Sequence, residues 1–309
     1  MKGLGIAAAS VCAVLLAPFA GPWLGWASYQ DLAPPPASPV DVDSGVLNVH
    51  QAGRGQDVVL IHGQPGSASM MRPLADSLAA SGMRVTWYDR MGWGHSGQRP
   101  QHEPANPTAH AADLVALIAS LDLVDPTLVG YSYGGGVAME ALRLEPGLAR
   151  RLVLLSSVGP GRRPGPPSVL QRVFLHPLFM RWALGTTFTA RTATAPVMAA
   201  FSSPETLGSA EIDTFLAALA LPGVPTSWER ERHERFQGFE AYRPEAVRAC
   251  TLIVHGEGDE VVSVDVARAL AAAIRDATLV VVPGAGHALV LTQPDLVARR
   301  ITEHEARCS

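Results

Sequence analysis

The chain has 309 residues, of which 48% are hydrophobic, and its formal net charge is -4. This length and composition suit one large α/β domain with an insertion, or two small domains, and exclude a chain that is disordered throughout. Because only 24 residues are Lys or Arg and the basic pairs are short, nucleic acid is not expected as a partner.

Residues 1–30 are predicted to be an export signal or a membrane anchor. Lys2 precedes an uncharged, mostly apolar stretch, 3–26, of about the length that spans a bilayer. Since Lys2 is the only charge before Asp31, we expect it to stay inside and the domain to lie outside the cytoplasm, membrane-anchored or secreted/periplasmic. Residues 31–44, which contain several prolines, are predicted to be an extended linker.

Three cysteines do not make a disulfide framework, and Cys12 lies within the leader. Cys250 begins an apolar run and is expected to be a small buried hydrophobic residue, whereas Cys308 lies in the C-terminal tail. A bridge between Cys250 and Cys308 is possible, but we expect the two residues to remain unpaired.

From residue 45 the sequence alternates between strand and helix patterns. A helix is predicted from a cap at Ser67 or Ser69 to Ala80, and another from an N-cap at Thr108, with apolar residues at i, i+3, i+4 and i+7. The predicted strands of this half are 46–50, 57–61, 84–88, 127–129 and 151–157. This alternation predicts an α/β fold with a mostly parallel, doubly wound sheet.

A helical cap is predicted over residues 160–244, inserted into a core of 45–159 and 245–309. The alternation breaks at a stretch dense in Gly and Pro, 158–167, which can continue neither a helix nor a central strand. Large apolar residues beyond it, Phe215 and Trp228 among them, are expected to pack between helices, and the charged segment 228–233 to be a solvated face. The sheet is predicted to resume at 250–255 and 278–282, with helices over 265–275 and 289–305.

Gly130-Tyr131-Ser132-Tyr133-Gly134 is a G-x-S-x-G stretch that joins an apolar run to a helix start rich in small residues. In a nucleophile elbow, a sharp strand-to-helix turn exposes the serine hydroxyl, and the flanking glycines leave room for the turn. Taken alone, the five residues could equally be a Gly/Ser loop that matches by chance. The rest of the chain favours the elbow.

Acyl transfer from Ser132 needs a base, an acid that orients the base, and donors for the oxyanion. His287 is the candidate base, because a glycine turn places it directly after the last strand. Asp259, in the loop after 250–255, is the candidate acid, although the neighbouring Glu257 and Glu260 could replace it. The remaining histidines fit less well: His62 is expected to be structural, and His255 lies at a strand end.

The backbone N–H groups of Gln64 and Tyr133 are the candidate oxyanion donors. A side-chain role for Gln64 is possible but not required. Met91 and Trp93 are expected to pack, although Trp93 could line a pocket. No metal or cofactor is expected, because the histidines and carboxylates lack metal-site spacings and the elbow glycines surround a serine instead of a phosphate-loop lysine.

The chain resembles the α/β-hydrolase superfamily, in its cap-bearing branch of esterases, haloperoxidase-like enzymes, carbon–carbon bond hydrolases, epoxide hydrolases and haloalkane dehalogenases. The resemblance spans residues 46–303 and is carried by 62–66 (His-Gly-Gln-Pro-Gly), 89–96, the elbow, 256–259 and Gly286-His287. It implies an α/β-hydrolase fold with a helical cap insertion.

Within that branch, Ser132 argues against epoxide hydrolases and dehalogenases, which look to an aspartate at the elbow. Carbon–carbon hydrolases usually carry a glycine-richer first loop than Gln64-Pro65-Gly66. The best interpretation is therefore a serine hydrolase acting on a small-molecule ester of small or medium apolar character. The alternatives are carbon–carbon cleavage or perhydrolysis with the same triad, and, in another class, a non-catalytic exported binding domain.

Overall fold

The structure is a computed structural model that describes residues 34–159, 208–221, 224–234 and 243–308. Within these residues eight strands form one sheet: β1 Ser38–Val42, β2 Gly45–Gly53, β3 Asp57–Ile61, β4 Arg84–Tyr88, β5 Thr127–Tyr131, β6 Arg151–Leu155, β7 Cys250–Gly256 and β8 Ala277–Val282. The α-helices of the same residues are α1 Ala68–Ala80, α2 Pro107–Ser120, α3 Tyr133–Leu144, α4 Ser209–Leu219, α5 Val224–Glu234, α6 Val264–Ala273, α7 Leu289–Thr292 and α8 Pro294–Arg307.

The strand order is β1-β2-β4-β3-β5-β6-β7-β8. β2 pairs antiparallel with β1 and β4, whereas every pairing from β4 through β3 and on to β8 is parallel. Along β3, Val58 and Leu60 belong to the hydrophobic core that contains α1 and α8, while Val59 and Ile61 belong to the core that contains α2 and α3. Helices therefore cover both faces, which explains the continuous apolar runs and confirms the predicted α/β-hydrolase fold with its mostly parallel sheet.

The carboxyl ends of the central strands lie side by side at one edge of the sheet. Ile61 pairs with both Tyr88 and Gly130, and Tyr131 pairs with Leu155. The loops that follow β3, β4, β5, β7 and β8 consequently converge at this edge, where open α/β sheets hold their sites.

Asp89, directly after β4, ties this edge to the start of α1. Its carboxylate accepts the N–H of Ala68 at 2.6 Å, the N–H of His95 at 2.9 Å and the side-chain amide of Asn48 at 2.8 Å. Burial raises the pKa of Asp89 in spite of these bonds. Ser67 occupies the predicted N-cap position of α1, but its side chain makes no capping bond, and Asp89 serves that end of the helix instead.

Helix α2 begins earlier than its predicted N-cap. Asn106, and not Thr108, is the N-cap residue: its side chain accepts the N–H of Ala109 at 3.0 Å, and Pro107 occupies the first helical position. Thr108 therefore lies inside the helix and donates to the carboxylate of Glu140 at 2.7 Å.

The predicted closing helix over 289–305 is divided into α7 and α8. Gln293 has φ -140° and ψ 46°, outside the helical region, and Pro294 follows it as the first residue of α8. Proline has no N–H to donate and restricts the residue before it, so the break falls there.

The predicted linker 31–44 contributes a strand to the sheet. Residues 38–42 form β1, which pairs with β2 at the edge of the sheet. Pro39 is compatible with this strand because an edge strand has one side that needs no backbone donor. The prolines of residues 31–44 indicated an extended linker, so the pairing of β1 with β2 was not predicted.

The prediction that Cys250 and Cys308 stay unpaired is wrong, because the two residues form a disulfide across 58 residues of sequence. Helix α8 packs against β7, and His304 of α8 contacts the carbonyl oxygen of Cys250 at 3.2 Å. The tail therefore returns to the first residue of β7.

The predicted cap, residues 160–244, is called the insertion below, and the structure describes it at 208–221, 224–234 and 243–244. Helix α4 packs against α1, and Phe215 and Trp228 are buried in the core shared with α1, as expected for packing residues. The rest of the predicted cap, most of the predicted hinge at 158–167 and the predicted leader at 1–30 lie outside the described residues. Among the helices that are described, none has the length and apolar character needed to cross a bilayer.

Candidate active site

Ser132 lies in a strained turn between β5 and α3. Its φ of +52° and ψ of -118° place a non-glycine residue at positive φ, which costs about 1–3 kcal/mol and must be supported by its surroundings. Its N–H donates to the Leu155 carbonyl at 2.9 Å, and its carbonyl accepts the N–H of Val158 at 3.2 Å. A Cβ on Gly134 would overlap with the carbonyl oxygen of Ile61, so the turn can approach β3 this closely only with glycine.

His287 connects Ser132 to Asp259. Its Nε2 lies 3.1 Å from the Ser132 hydroxyl, and its Nδ1 lies 2.8 Å from Oδ2 of Asp259. All three residues are buried. Because ionised Asp259 can only accept, Nδ1 of the ring carries the proton, which leaves Nε2 to accept the hydroxyl proton of Ser132. The structure thus brings these three predicted residues into one hydrogen-bonded chain.

Asp259 is held in its charged form by several donors. Its Oδ1 accepts the N–H groups of Val261 at 2.9 Å and Val262 at 2.8 Å. Burial by itself raises the pKa of this carboxyl, but hydrogen bonds from His255 and His287 and the other donors outweigh burial and hold the pKa well below its usual range.

Glu257 and Glu260, the two alternative acids, are exposed to solvent. In contrast, the side chain of Asp259 is buried against His287. The geometry therefore favours Asp259 as the partner of the imidazole.

His255 also belongs to this site, although its position at a strand end indicated no role for it. It is fully buried, and its Nε2 lies 3.2 Å from Oδ2 of Asp259 and 2.8 Å from the carbonyl of Val262. The ring therefore supports the turn that presents Asp259. The available signal was its position four residues before Asp259, at the end of β7.

Tyr131 lies beneath the imidazole of His287, with ring centroids 5.3 Å apart. Burial, followed by the negative charge of Asp259, raises the pKa of the Tyr131 phenol, which therefore stays protonated. The ring serves as an apolar support for His287.

The loop after β3 lies close to the candidate nucleophile. A Cβ on Gly63 would lie 3.0 Å from Cβ of Ser132, so Gln64 follows a backbone that is in near contact with the elbow. Tyr133 is the first residue of α3, in the turn where helical N–H groups point out of the helix. These positions make the Gln64 and Tyr133 amides candidates for binding an anion beside Ser132.

His62 fixes the start of this loop, which is the structural role expected for it. Its Nε2 accepts the N–H of Arg90 at 3.0 Å, so its Nδ1 carries the proton and donates to the carbonyl of Gly63 at 2.8 Å. Burial, followed by the charge of Arg90, holds the pKa of His62 well below its usual value. The ring is therefore a neutral bridge between two loops.

Glu231 of α5 contradicts the prediction that 228–233 is a solvated face. Its side chain is 1% exposed, and it pairs with Arg90 at 3.3 Å and with His110 at 2.8 Å. Trp93, expected to pack, is also a donor, because its indole N–H bonds to the same carboxylate. Burial raises the pKa of Glu231, but Arg90, His110 and Trp93 more than offset this and lower it.

The neighbouring residue Arg230 also binds the core. Its guanidinium donates to the carbonyl oxygens of Arg99 at 2.6 Å and Pro100 at 2.7 Å, and to that of Glu103. Ser227, one turn earlier, donates to the carbonyl of Gly92. The face of α5 that carries these polar residues is therefore an interface with the loops after β4.

Comparisons with known proteins agree on the fold. The model of the family described as alpha/beta hydrolase fold matches residues 58–294. The AB hydrolase superfamily protein YisY of Bacillus subtilis (strain 168) is 28% identical over 244 residues, covering 78% of this chain and 88% of that protein. A 2-hydroxymuconate semialdehyde hydrolase of Pseudomonas sp. (strain CF600) is 35% identical over 115 residues, 36% of this chain and 40% of its own length. A solved esterase from Exiguobacterium antarcticum has a TM-score of 0.72 at 21% identity, covering 87% of this chain and 98% of its own.

Proposed function

Because the chain belongs to the alpha/beta hydrolase fold family, we propose that it is a serine hydrolase that cleaves a carboxylic ester through an acyl-enzyme. The observation that carries the proposal is the buried hydrogen-bonded chain from Ser132 through His287 to Asp259. A serine with a positioned base and an oriented acid is the arrangement that nucleophilic acyl transfer needs.

In the proposed acylation, Oγ of Ser132 attacks the ester carbonyl carbon while Nε2 of His287 takes its proton. The charge of Asp259 stabilises the imidazolium that results. The N–H groups of Gln64 and Tyr133 bind the oxyanion of the tetrahedral intermediate, and His287 then protonates the departing alcohol. Water repeats the sequence on the acyl-enzyme, which releases the carboxylic acid and restores Ser132.

The insertion is proposed to act as the cap that shapes a pocket for an apolar acyl or alcohol group and limits water. The buried apolar residues of α4 and the buried interface of α5 support this assignment. We further propose that the domain works outside the cytoplasm. The disulfide between Cys250 and Cys308 supports an oxidising compartment.

Labelling with a fluorophosphonate and turnover of p-nitrophenyl esters of short and medium acyl chains test the activity, using the chain from residue 34 onward beside Ser132→Ala. We expect the parent protein to label and to turn over at least one ester, and the variant to do neither. Absence of any ester turnover would reject the esterase proposal. Equal activity of Ser132→Ala would reject the mechanism.

Carbon–carbon bond hydrolysis is a second candidate, favoured by the 35% identity to a 2-hydroxymuconate semialdehyde hydrolase over 115 residues. The same triad would serve both reactions. A panel that compares simple esters with ring-fission dienoates at equal enzyme concentration separates them, because kcat/KM for the preferred class reports where transition-state binding is greater.

A further inference from the structure

We propose that Glu231, in the insertion, positions the oxyanion hole of the core by holding Arg90 against the loop of residues 62–66. The inference rests on the proposed hydrolase function and extends it. The oxyanion hole would then be correctly positioned only when α5 is packed against the core, and Glu231 and Arg90 would be positioning residues.

Arg90 acts on the peptide unit that joins Gly63 to Gln64. The carbonyl of Gly63 and the N–H of Gln64 belong to the same planar group and point in opposite directions. The carbonyl accepts from Nδ1 of His62 at 2.8 Å and from Nη2 of Arg90 at 3.2 Å. Two donors on the oxygen fix the plane of the unit, and by polarising it they make the Gln64 N–H a stronger donor.

Arg90 also contacts Tyr133, the other candidate oxyanion residue. The guanidinium carbon lies 4.7 Å from the ring centroid of Tyr133 and 5.3 Å from that of Trp93. A cation over two aromatic faces is attracted to both rings and confined between them. Arg90 therefore contacts the peptide unit that carries the Gln64 N–H, through the Gly63 carbonyl, and the side chain of Tyr133.

The side chain of Arg90 is 1% exposed, so its positive charge needs a nearby negative partner. A buried guanidinium is unfavourable unless it is paired, and Glu231 supplies the carboxylate, with Nη1 at 3.3 Å and 3.4 Å from its two oxygens. His110 and the Trp93 indole N–H are the other hydrogen-bond partners of the Glu231 carboxylate. The carboxylate is thus fixed by three side chains of the core.

Loss of the Glu231 charge would leave Arg90 buried beside two neutral rings and a carbonyl, so that the guanidinium would turn toward water. The Gly63 carbonyl would then lose one of its donors. The effect should fall on the step that builds negative charge on the substrate oxygen. Because removal of a direct oxyanion donor costs on the order of 10²–10³ in kcat, we expect an indirect change to cost about tenfold.

The test uses three variants: Glu231→Gln, Arg90→Lys and the double variant that combines these two changes. Glu245→Gln is the matched control, because Glu245 is an exposed glutamate of the 3-10 helix Pro244–Ala246. Steady-state turnover of a p-nitrophenyl ester gives kcat and KM. The second-order rate constant of phosphonylation by a fluorophosphonate measures the reactivity of Ser132. The phosphoryl oxygen of this reagent is expected to bind the same N–H groups, those of Gln64 and Tyr133. Thermal unfolding followed by circular dichroism identifies the temperatures at which every variant is folded.

We expect Glu231→Gln to lower kcat and the phosphonylation rate about tenfold, with KM changed less than about threefold, and Glu245→Gln to match the parent protein. The double variant should be no slower than the slower single variant, because both residues act through one peptide unit. Additive losses, or a lower melting temperature with unchanged rates in the folded range, would overturn the proposal.

If Glu231→Gln does not fold, Glu231→Asp keeps the charge and moves it by one methylene, and a rate between those of the parent and Arg90→Lys is expected. Parent-like rates for Glu231→Asp and Arg90→Lys together would overturn the proposal. The phosphonylation arm needs no ester substrate. Failure of ester turnover in the parent protein would therefore reject the esterase proposal while leaving the role of Glu231 open to measurement.

Discussion

Oδ2 of Asp259 lies 2.8 Å from Nδ1 of His287, although 28 residues separate them in the chain. The contact joins the loop after β7 to the turn after β8. These strands are neighbours in the sheet, with His255 paired to Val281. The pairing of the two strands therefore brings the loop that carries Asp259 beside the turn that carries His287.

Replacing Asp259 with Asn should lower kcat by about 10³–10⁴-fold, because an amide favours the wrong imidazole tautomer and cannot stabilise an imidazolium. Kinetics with the best ester substrate measure the loss. Glu257→Gln and Glu260→Gln are the matched controls, since both glutamates are exposed, and should stay within about threefold of the parent. A larger loss in either control would move the acid away from Asp259.

Asp259 should also contribute to the pH dependence of stability. Its pKa is lower in the folded protein than in the unfolded chain, so its charge stabilises the fold above about pH 4 and this contribution is lost as pH falls below that value. Urea unfolding of the parent and Asp259→Asn between pH 3 and 7 tests this. The difference in unfolding free energy should be constant at the upper end and shrink below about pH 4; growth on acidification would contradict the prediction.

Removing the disulfide should destabilise the protein without changing its chemistry. A crosslink across 58 residues limits the unfolded chain, and its loss is expected to cost about 2–4 kcal/mol. Chemical unfolding of Cys250→Ser/Cys308→Ser measures the cost, and kcat should remain within about twofold of the parent. Dithiothreitol should destabilise the parent protein and leave the double variant unchanged; equal stability of the two proteins would show that the bridge does not form.

Gly134→Ala should abolish activity or folding, since its methyl group would overlap with the backbone of β3 beside the elbow. Gly147→Ala is the control, because a Cβ there meets nothing within 4 Å. Its unfolding free energy is expected to stay within about 0.5 kcal/mol of the parent value. Phosphonylation and thermal unfolding of both variants check the pair, and an active, parent-like Gly134→Ala would refute the close approach.

The sequence was enough to predict the alternation of strands and helices, and with it the fold class. It also indicated the edge of the sheet at which Ser132, His287, Asp259 and Gln64 would lie. These features are local: a G-x-S-x-G turn, a glycine turn before a histidine and buried strands all appear in short windows. The parallel sheet then brings the loops to one edge without further information.

Other contacts follow from the folded structure and cannot be predicted from a local sequence pattern. Glu231 is one charge in a charged segment, yet it lies buried against Arg90, 141 positions earlier in the chain. Cys308 lies in the C-terminal tail of the sequence, but the packing of α8 against β7 brings it to Cys250. Residues 38–42 lie in a predicted linker, but they pair with β2 as an edge strand. All three cases have the same cause, because burial and pairing depend on which surfaces meet, and that is a property of the folded chain as a whole.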